Sequence, residues 1–178
     1  MSFIEMQPIV WGQEPPAHLR QIYEEAFPPE ERRLWSQLFD RQHCEHVAQL
    51  IIYAERVAGF LVSWELPSSH YFEYLVIDPA LRGQGLGTKV LQRISQLYDD
   101  EYPIVLEAEP AGYSPMAERR LAFYERFGLK VQPFPYRQPP YGEDLPWVDL
   151  HLLANRPLAE RDFLTIQREI HHQVYRID

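Results

Sequence analysis

The chain has 178 residues, of which 46% are apolar, 24% charged and 13% aromatic, which suits a single globular domain with a sizeable core. Its formal charge of −9 argues against a general nucleic-acid binder, which needs a basic stripe to neutralise phosphates. Cys44 is the only cysteine, so no internal disulfide forms and the secreted disulfide-scaffold class is excluded. No basic start is followed by an apolar run, and no stretch approaches the roughly 18 apolar residues of a membrane span. The expectation is one soluble, cytoplasmic domain over residues 1–178, with no membrane or nucleic-acid partner. Sixteen prolines against eight glycines predict rigid loops. Six of these prolines fall from Pro133 to Pro157, marking an extended or lid-like stretch.

Phe3 to Val10 reads as a first strand. Pro15-Pro16 opens a helix whose apolar residues Leu19, Ile22, Tyr23 and Ala26 follow helical spacing, and Pro28-Pro29 closes it. Glu30 to Phe39 reads as a second short helix. Val47–Ala54 and Gly59–Glu65 read as an antiparallel hairpin turning near Glu55-Arg56. Tyr71 to Ile77 is a fourth strand, ended by Asp78-Pro79. After a glycine-rich loop, Thr88 to Tyr98 is a helix burying Val90, Leu91, Ile94 and Leu97. Ile104 to Glu109 is a fifth strand. Met116 to Phe127 is a helix closed by Gly128 in the C′ position. Trp147 to Leu153 is the last strand, and Pro157 opens a final helix to about Tyr175. Hairpin strands followed by alternating strands and helices indicate a mixed α/β sheet.

The strongest chemical signal is Leu75-Val76-Ile77-Asp78-Pro79 leading into Arg82-Gly83-Gln84-Gly85-Leu86-Gly87 and a helix. Glycines let a ligand come close to the main chain. The unpaired N–H groups at a helix start, aided by the helix dipole, suit a phosphate. Thr88 adds a hydroxyl, and Arg82 or Lys89 a positive charge. A dinucleotide fingerprint requires Gly-x-Gly-x-x-Gly, but counting from Gly83 or Gly85 puts Thr88 or Val90 at the last glycine. A P-loop requires Gly-Lys-Ser/Thr, whereas Gly87 is followed by Thr88 and then Lys89. Both spacings fail.

Arg82-x-x-Gly85-x-Gly87 after an apolar strand ending in Asp-Pro resembles the acetyl-CoA motif of the GNAT superfamily of N-acetyltransferases. Arg119 to Leu129, with Phe123-Tyr124 and Phe127-Gly128-Leu129, resembles that family's later helix. The resemblance covers roughly residues 3–153 and leaves the last helix outside. It implies the GNAT fold, a mixed, mostly antiparallel central sheet of about six or seven strands flanked by helices. It also implies acetyl-CoA as cosubstrate. The amides of Gly83, Gln84, Gly85, Leu86, Gly87 and Thr88, with Arg82, would hold its pyrophosphate. The main chain of Leu75, Val76 and Ile77 would pair with its pantetheine arm. Many members carry an asparagine seven residues before the helix tyrosine. Here that place is Ala117, so Arg119 or Arg120 would have to replace the contact.

Acetyl transfer to an amine needs a base for the amine proton, stabilisation of an oxyanion, and an acid for the departing thiolate. The resemblance makes Tyr124 the acid, although helical spacing alone reads it as a core aromatic beside Phe123. Glu107 and Glu109 share a strand face. Leu106-Glu107-Ala108 is similar to a segment of the family's peptide acetyltransferases whose glutamate is the base. Glu107 is therefore one base, Glu73 on the fourth strand another, and water a third. Glu109 would draw in a cationic amine. Tyr141, in the proline-rich stretch, would form an acceptor wall or simply pack over the sheet end. Pro110 to Pro115 is longer than the family's usual link and would shape the acceptor pocket.

His43 and His46 flank Cys44 without the further ligands a zinc site requires, so they read as exposed loop polarity, and no metal is expected. Cys44 has no base beside it, and His171-His172 reads as a solvated helix face. The last helix covers the domain or pairs with a second copy in a homodimer. The resulting expectation is an N-acetyltransferase acting by direct attack on a primary amine of a small molecule or peptide. The alternative is a CoA-binding sensor module without catalysis, and a longer-chain acyl donor is a third reading.

Overall fold

The computed structural model describes residues 4–10, 12–13, 15–39, 45–81, 83–98 and 101–177. Eight strands follow the order β1-β2-β3-β4-β5-β8-β6, with β7 paired to β8. They are β1 (Ile4–Pro8), β2 (Val47–Tyr53), β3 (Arg56–Leu66), β4 (Ser69–Ile77), β5 (Ile104–Ala108), β6 (Lys130–Val131), β7 (Tyr136–Gln138) and β8 (Val148–Ala154). The helices are α1 (Ala17–Ala26), α2 (Trp35–Leu38), α3 (Leu86–Leu97), α4 (Pro115–Arg126) and α5 (Glu160–Glu169). Only the β4–β5 pairing is parallel among the registers defined. The mixed, mostly antiparallel sheet and the C-terminal helix agree with the sequence expectation. β6 and β7 were not anticipated. Two or three residues carry too little alternation to stand out from a loop.

The chain divides into two compact units, residues 1–64 with 73–99, and residues 65–72 with 100–178. In the first, β1 and β3 both pair antiparallel with β2. The β2–β3 turn places Ala54 and Glu55 at φ 49° and 62°, the left-handed pair that the twist of a two-residue hairpin requires. Tyr23 of α1, fully buried, packs its ring against Phe27, Trp35, Phe60 and Tyr74. Burying a ring such as Phe60 contributes on the order of 2–3 kcal/mol.

The expected helix over Glu30–Phe39 is broken. Pro29–Glu31 forms a single 3₁₀ turn, Arg32 and Leu34 are extended, and α2 spans only Trp35–Leu38. Tertiary bonds outweigh local propensity here. The Arg32 guanidinium donates to the carbonyls of Glu24 and Phe27, and the Arg33 amide donates to the Tyr74 hydroxyl at 3.1 Å.

In the second unit, His70–Phe72 pair with Ile104–Leu106, and β8 pairs antiparallel with β5, β6 and β7. α4 begins at Ser114, whose Oγ accepts from the Ala117 amide at 3.0 Å, with Pro115 at the first helical position; this is a standard cap. It ends as expected at Gly128, where the Leu129 amide returns to the Tyr124 carbonyl at 3.2 Å.

α5 buries Phe163 and Ile166 and runs into a π-helical turn, Ile170–Val174. Glu169 holds the Ser68 amide and hydroxyl at 3.0 and 2.7 Å. The C-terminal helix is thus a packed part of this unit. No helix among the described residues is long and apolar enough to cross a membrane.

Candidate active site

The glycine loop sits in the first unit at the start of α3. Gly83 and Gly85 have φ of 78° and 69°, a left-handed conformation costly for any residue with a Cβ. Gly87 is an ordinary helical residue, so two of the three glycines carry the conformational requirement. Gly85 caps α3 with no side-chain bond, and the first turn contains no acidic residue. Helix geometry leaves the amides of Leu86, Gly87 and Thr88 without intrahelical acceptors. They lie beside the exposed Gly83 and Gln84, so the local chemistry fits an anion. Lys89 lies with its ammonium 4.9 Å from the centre of the Tyr53 ring, a cation–π contact. Arg82 lies outside the described residues.

Upstream, Val76 is buried while Leu75 and Ile77 are half-buried. The strand is pressed closely on β3. A Cβ at Gly59 would lie 1.9 Å from the Val76 carbonyl oxygen, so no side chain fits there. The Asp78 amide bonds the Ala58 carbonyl at 2.8 Å, fixing the exit of β4 toward the loop.

The side chain of Glu73, also in the first unit, is completely covered. Its Oε1 accepts from the Arg33 guanidinium at 2.6 Å and its Oε2 from the Trp64 indole at 2.7 Å. The Arg33 guanidinium lies 5.5 Å from the Trp64 ring centre. The expected bare carboxylate is therefore one half of a buried ion pair. Nearby His46 is buried rather than exposed, correcting the reading of loop polarity. Its Nε2 bonds the Leu38 carbonyl at 2.8 Å, its ring meets Trp64, and burial lowers its pKa below the ordinary 6.5. His43 and Cys44 lie outside the described residues.

In the second unit, Glu107 faces Leu152 on β8, and Tyr136 faces Leu150. Leu150 and Leu152 are two apart on one strand, so Glu107 and Tyr136 fall on the same face. The Tyr136 hydroxyl donates to Glu107 Oε1, and the Tyr175 hydroxyl donates to Oε2 at 2.6 Å. Tyr141 donates to the Tyr175 hydroxyl at 3.2 Å, with ring centres 4.8 Å apart. Burial, then the Glu107 charge, pushes both Tyr136 and Tyr175 well above the ordinary phenol value of 10.0. Both phenols therefore keep their protons.

Glu109 takes a different partner. It is buried and paired with Arg120 of α4 at 2.9 Å, so the charge expected to attract an amine is locally neutralised. Ala117 is buried and Arg119 exposed. Tyr124 is half-buried beside Phe123, and its hydroxyl has no hydrogen-bond partner among the described residues. Burial raises its pKa, partly opposed by Arg120, so the phenol is protonated at neutral pH and holds a proton to give.

Sequence reading missed Arg33, Tyr136 and Tyr175 as partners of the candidate glutamates. Of this cluster the sequence singles out Tyr141 alone, as an acceptor wall or as packing over the sheet end. His171, read as solvated, instead bonds the Arg137 carbonyl at 3.0 Å and packs against Tyr136 and Trp147.

The family pattern described as acetyltransferase (GNAT) matches residues 14–129. Of solved structures, a GNAT-family protein from Bacteroides thetaiotaomicron superposes with a TM-score of 0.82 at 29% identity, covering 98% of this chain and 99% of that one. A GNAT acetyltransferase from Elizabethkingia anophelis, solved with acetyl-CoA bound, has a TM-score of 0.58 at 15% identity over 85% and 96% of the two chains. At that identity the likeness speaks to the fold. YjbC of Bacillus subtilis (strain 168), assigned to the acetyltransferases, is 38% identical over 76 residues. That match covers 42% of this chain and 38% of YjbC, so the chain matches well under half of that relative's length. With the glycine loop, the Tyr124 helix and the sheet order in agreement, the chain belongs to the acetyltransferase (GNAT) family, acyltransferases that use acetyl-CoA.

Proposed function

We propose that this chain transfers an acetyl group to a primary amine of a small molecule or peptide, by direct attack and without a covalent enzyme intermediate. When bound, acetyl-CoA supplies an activated thioester. The amides of Gly83, Gln84, Gly85, Leu86, Gly87 and Thr88 would hold its pyrophosphate, with Arg82 as the candidate cation. The main chain of Leu75, Val76 and Ile77 would pair with its pantetheine arm. The uncapped, acid-free start of α3 after two left-handed glycines is the observation that carries this reading.

Tyr124 is the proposed acid, because a protonated phenol can give its proton to the departing thiolate. Glu107, Glu73 and water are the three candidates for taking the amine's proton. Arg33 and Trp64 donate to Glu73, and two tyrosines donate to Glu107. Neither carboxylate is therefore bare, which favours water as the immediate acceptor. Tyr141 is the proposed acceptor wall.

The test is free-thiol release from acetyl-CoA against a panel of alkyl and aryl amines. Turnover with at least one amine is expected. CoA binding without turnover by any amine would favour the sensor reading, and failure to bind CoA would overturn both.

A further inference from the structure

The chain leaves α5 through a π-helical turn, Ile170–Val174, and the Tyr175 amide bonds the Ile170 carbonyl five residues back at 3.3 Å. One extra residue in a turn rotates the side chains that follow relative to a regular helix. Such turns are rare and concentrate at functional sites. This one lies beyond residue 129, where the family match ends, so the family pattern does not account for it.

His171 and Tyr175 of this region both contact the stretch that starts at β7 and ends at Trp147. His171 donates from Nε2 to the Arg137 carbonyl at 3.0 Å, and its ring centre lies 5.7 Å from those of Tyr136 and Trp147. One imidazole thus holds both ends of the stretch. Tyr175 holds the middle. Its ring centre lies 4.8 Å from that of Tyr141, and it accepts a hydrogen bond from the Tyr141 hydroxyl at 3.2 Å. The direction follows from the proton count, because the one hydroxyl proton of Tyr175 goes to Glu107 at 2.6 Å. Tyr175 is buried to 7% exposure, while Tyr141 is half-buried. Residues 139–147 form neither strand nor helix, and Pro139, Pro140 and Pro146 have no N–H to donate. A stretch of this kind depends on outside contacts for a fixed position.

We propose that the C-terminal π-turn is a positioning element of the acceptor site, in which Tyr175, with His171, sets where Tyr141 stands. Tyr175 is a positioning residue that acts through Tyr141. The proposal rests on the amine-acceptor reading, in which Tyr141 walls the acceptor. It adds that the wall is set from the C-terminus, so the turn governs how bulky an amine is taken.

Hydrogen exchange of the full chain, read by mass spectrometry, tests the holding directly. Tyr175→Phe removes both hydroxyl bonds but keeps the ring. It should speed exchange over residues 141–145 about threefold to tenfold, the scale of one lost hydrogen bond, and leave α3 unchanged. Tyr175→Leu should speed it further. His171→Ala should act at the two ends, residues 136–138 and 147–149, and decides the matter should Tyr175→Leu fail to fold. Turnover supplies a readout that a merely structural role would not move. Across amines from methylamine to 2-phenylethylamine, Tyr175→Leu should raise KM about threefold or more for the bulkiest one turned over, the scale of one aromatic contact. The smallest should change far less, and kcat should move less than KM. Adding Tyr175→Phe to Tyr141→Ala should raise KM no further, because both act through one ring. Unchanged exchange in a folded Tyr175→Leu variant overturns the proposal. So does an unmoved KM, an equal rise for every amine, or additivity in the double variant. Absence of turnover with every amine overturns the amine-acceptor reading and the turn's acceptor role with it, and exchange still decides whether the turn holds Tyr141.

Discussion

Glu73 and Glu107 each accept hydrogen bonds on both oxygens, yet they differ in the kind of donor. Around Glu73, Arg33 brings a full positive charge and Trp64 a neutral N–H, so the charges cancel inside a closed core. Around Glu107, Tyr136 and Tyr175 donate neutral phenol hydroxyls. A buried ion pair is chiefly an architectural element whose disruption is costly. Two glutamates that look alike as candidate bases thus have different physical roles.

The largest effect should come from opening the first of these sites. Arg33→Met strands a buried carboxylate and should cost about 3 kcal/mol or more in urea unfolding. Adding Glu73→Gln should restore part of that loss, because the stranded charge is then removed. A loss under about 1 kcal/mol would mean that Glu73 is not held as an ion pair in solution.

Next in size is Tyr124→Phe in the other unit. Loss of a general acid should lower kcat about 100-fold, equivalent to about 2.7 kcal/mol, with CoA affinity retained. An unchanged kcat would end its role as acid.

Tyr136→Phe and Tyr175→Phe should each cost about 1–2 kcal/mol in stability, the scale of a hydrogen bond to a charged group. Both losses should stay below that for Arg33→Met. Equal losses in the two places would erase the contrast between charge pairing and charge solvation.

The smallest expected effect is a pH dependence. Burial holds His46 and His171 below the ordinary value of 6.5, so the folded chain resists a proton that the unfolded chain accepts. Stability is therefore complete above the unfolded value and falls as pH drops below it, by about 1 kcal/mol at most per histidine over one pH unit. Thermal melts at descending pH should show the decline, and His46→Gln should shrink it. A variant that declines as steeply as the unaltered chain would remove His46 as a contributor.

Much of the architecture was legible because it is encoded locally. Alternating and helical apolar spacing marked β2 to β5, α1 and α3 to within a few residues. Gly128 closed its helix where a C′ glycine should. The partners of the glutamates were not legible, because no local pattern links them. Arg33 and Glu73 are 40 residues apart, and Tyr175 and Glu107 are 68 apart. The helix expected at Glu30 failed for the same reason. Arg33 is held by Glu73 and Tyr74, 40 and 41 residues on, and Arg32 by the carbonyls of Glu24 and Phe27, and those bonds outweigh a weak local preference.

By itself, the sequence determined the loop's backbone character, since left-handed backbone at Gly83 and Gly85 and an acid-free helix start are properties of neighbouring residues. It also determined that Tyr124 stands on a helix ending in Gly128. Only the tertiary structure decided which donors hold which carboxylate. That outcome depends on which donor reaches each oxygen, an arginine from a broken helix for Glu73 and tyrosines from a short strand and a π-turn for Glu107. Burial then sets the protonation of those donors, and burial is a property of the packed fold rather than of any segment in it.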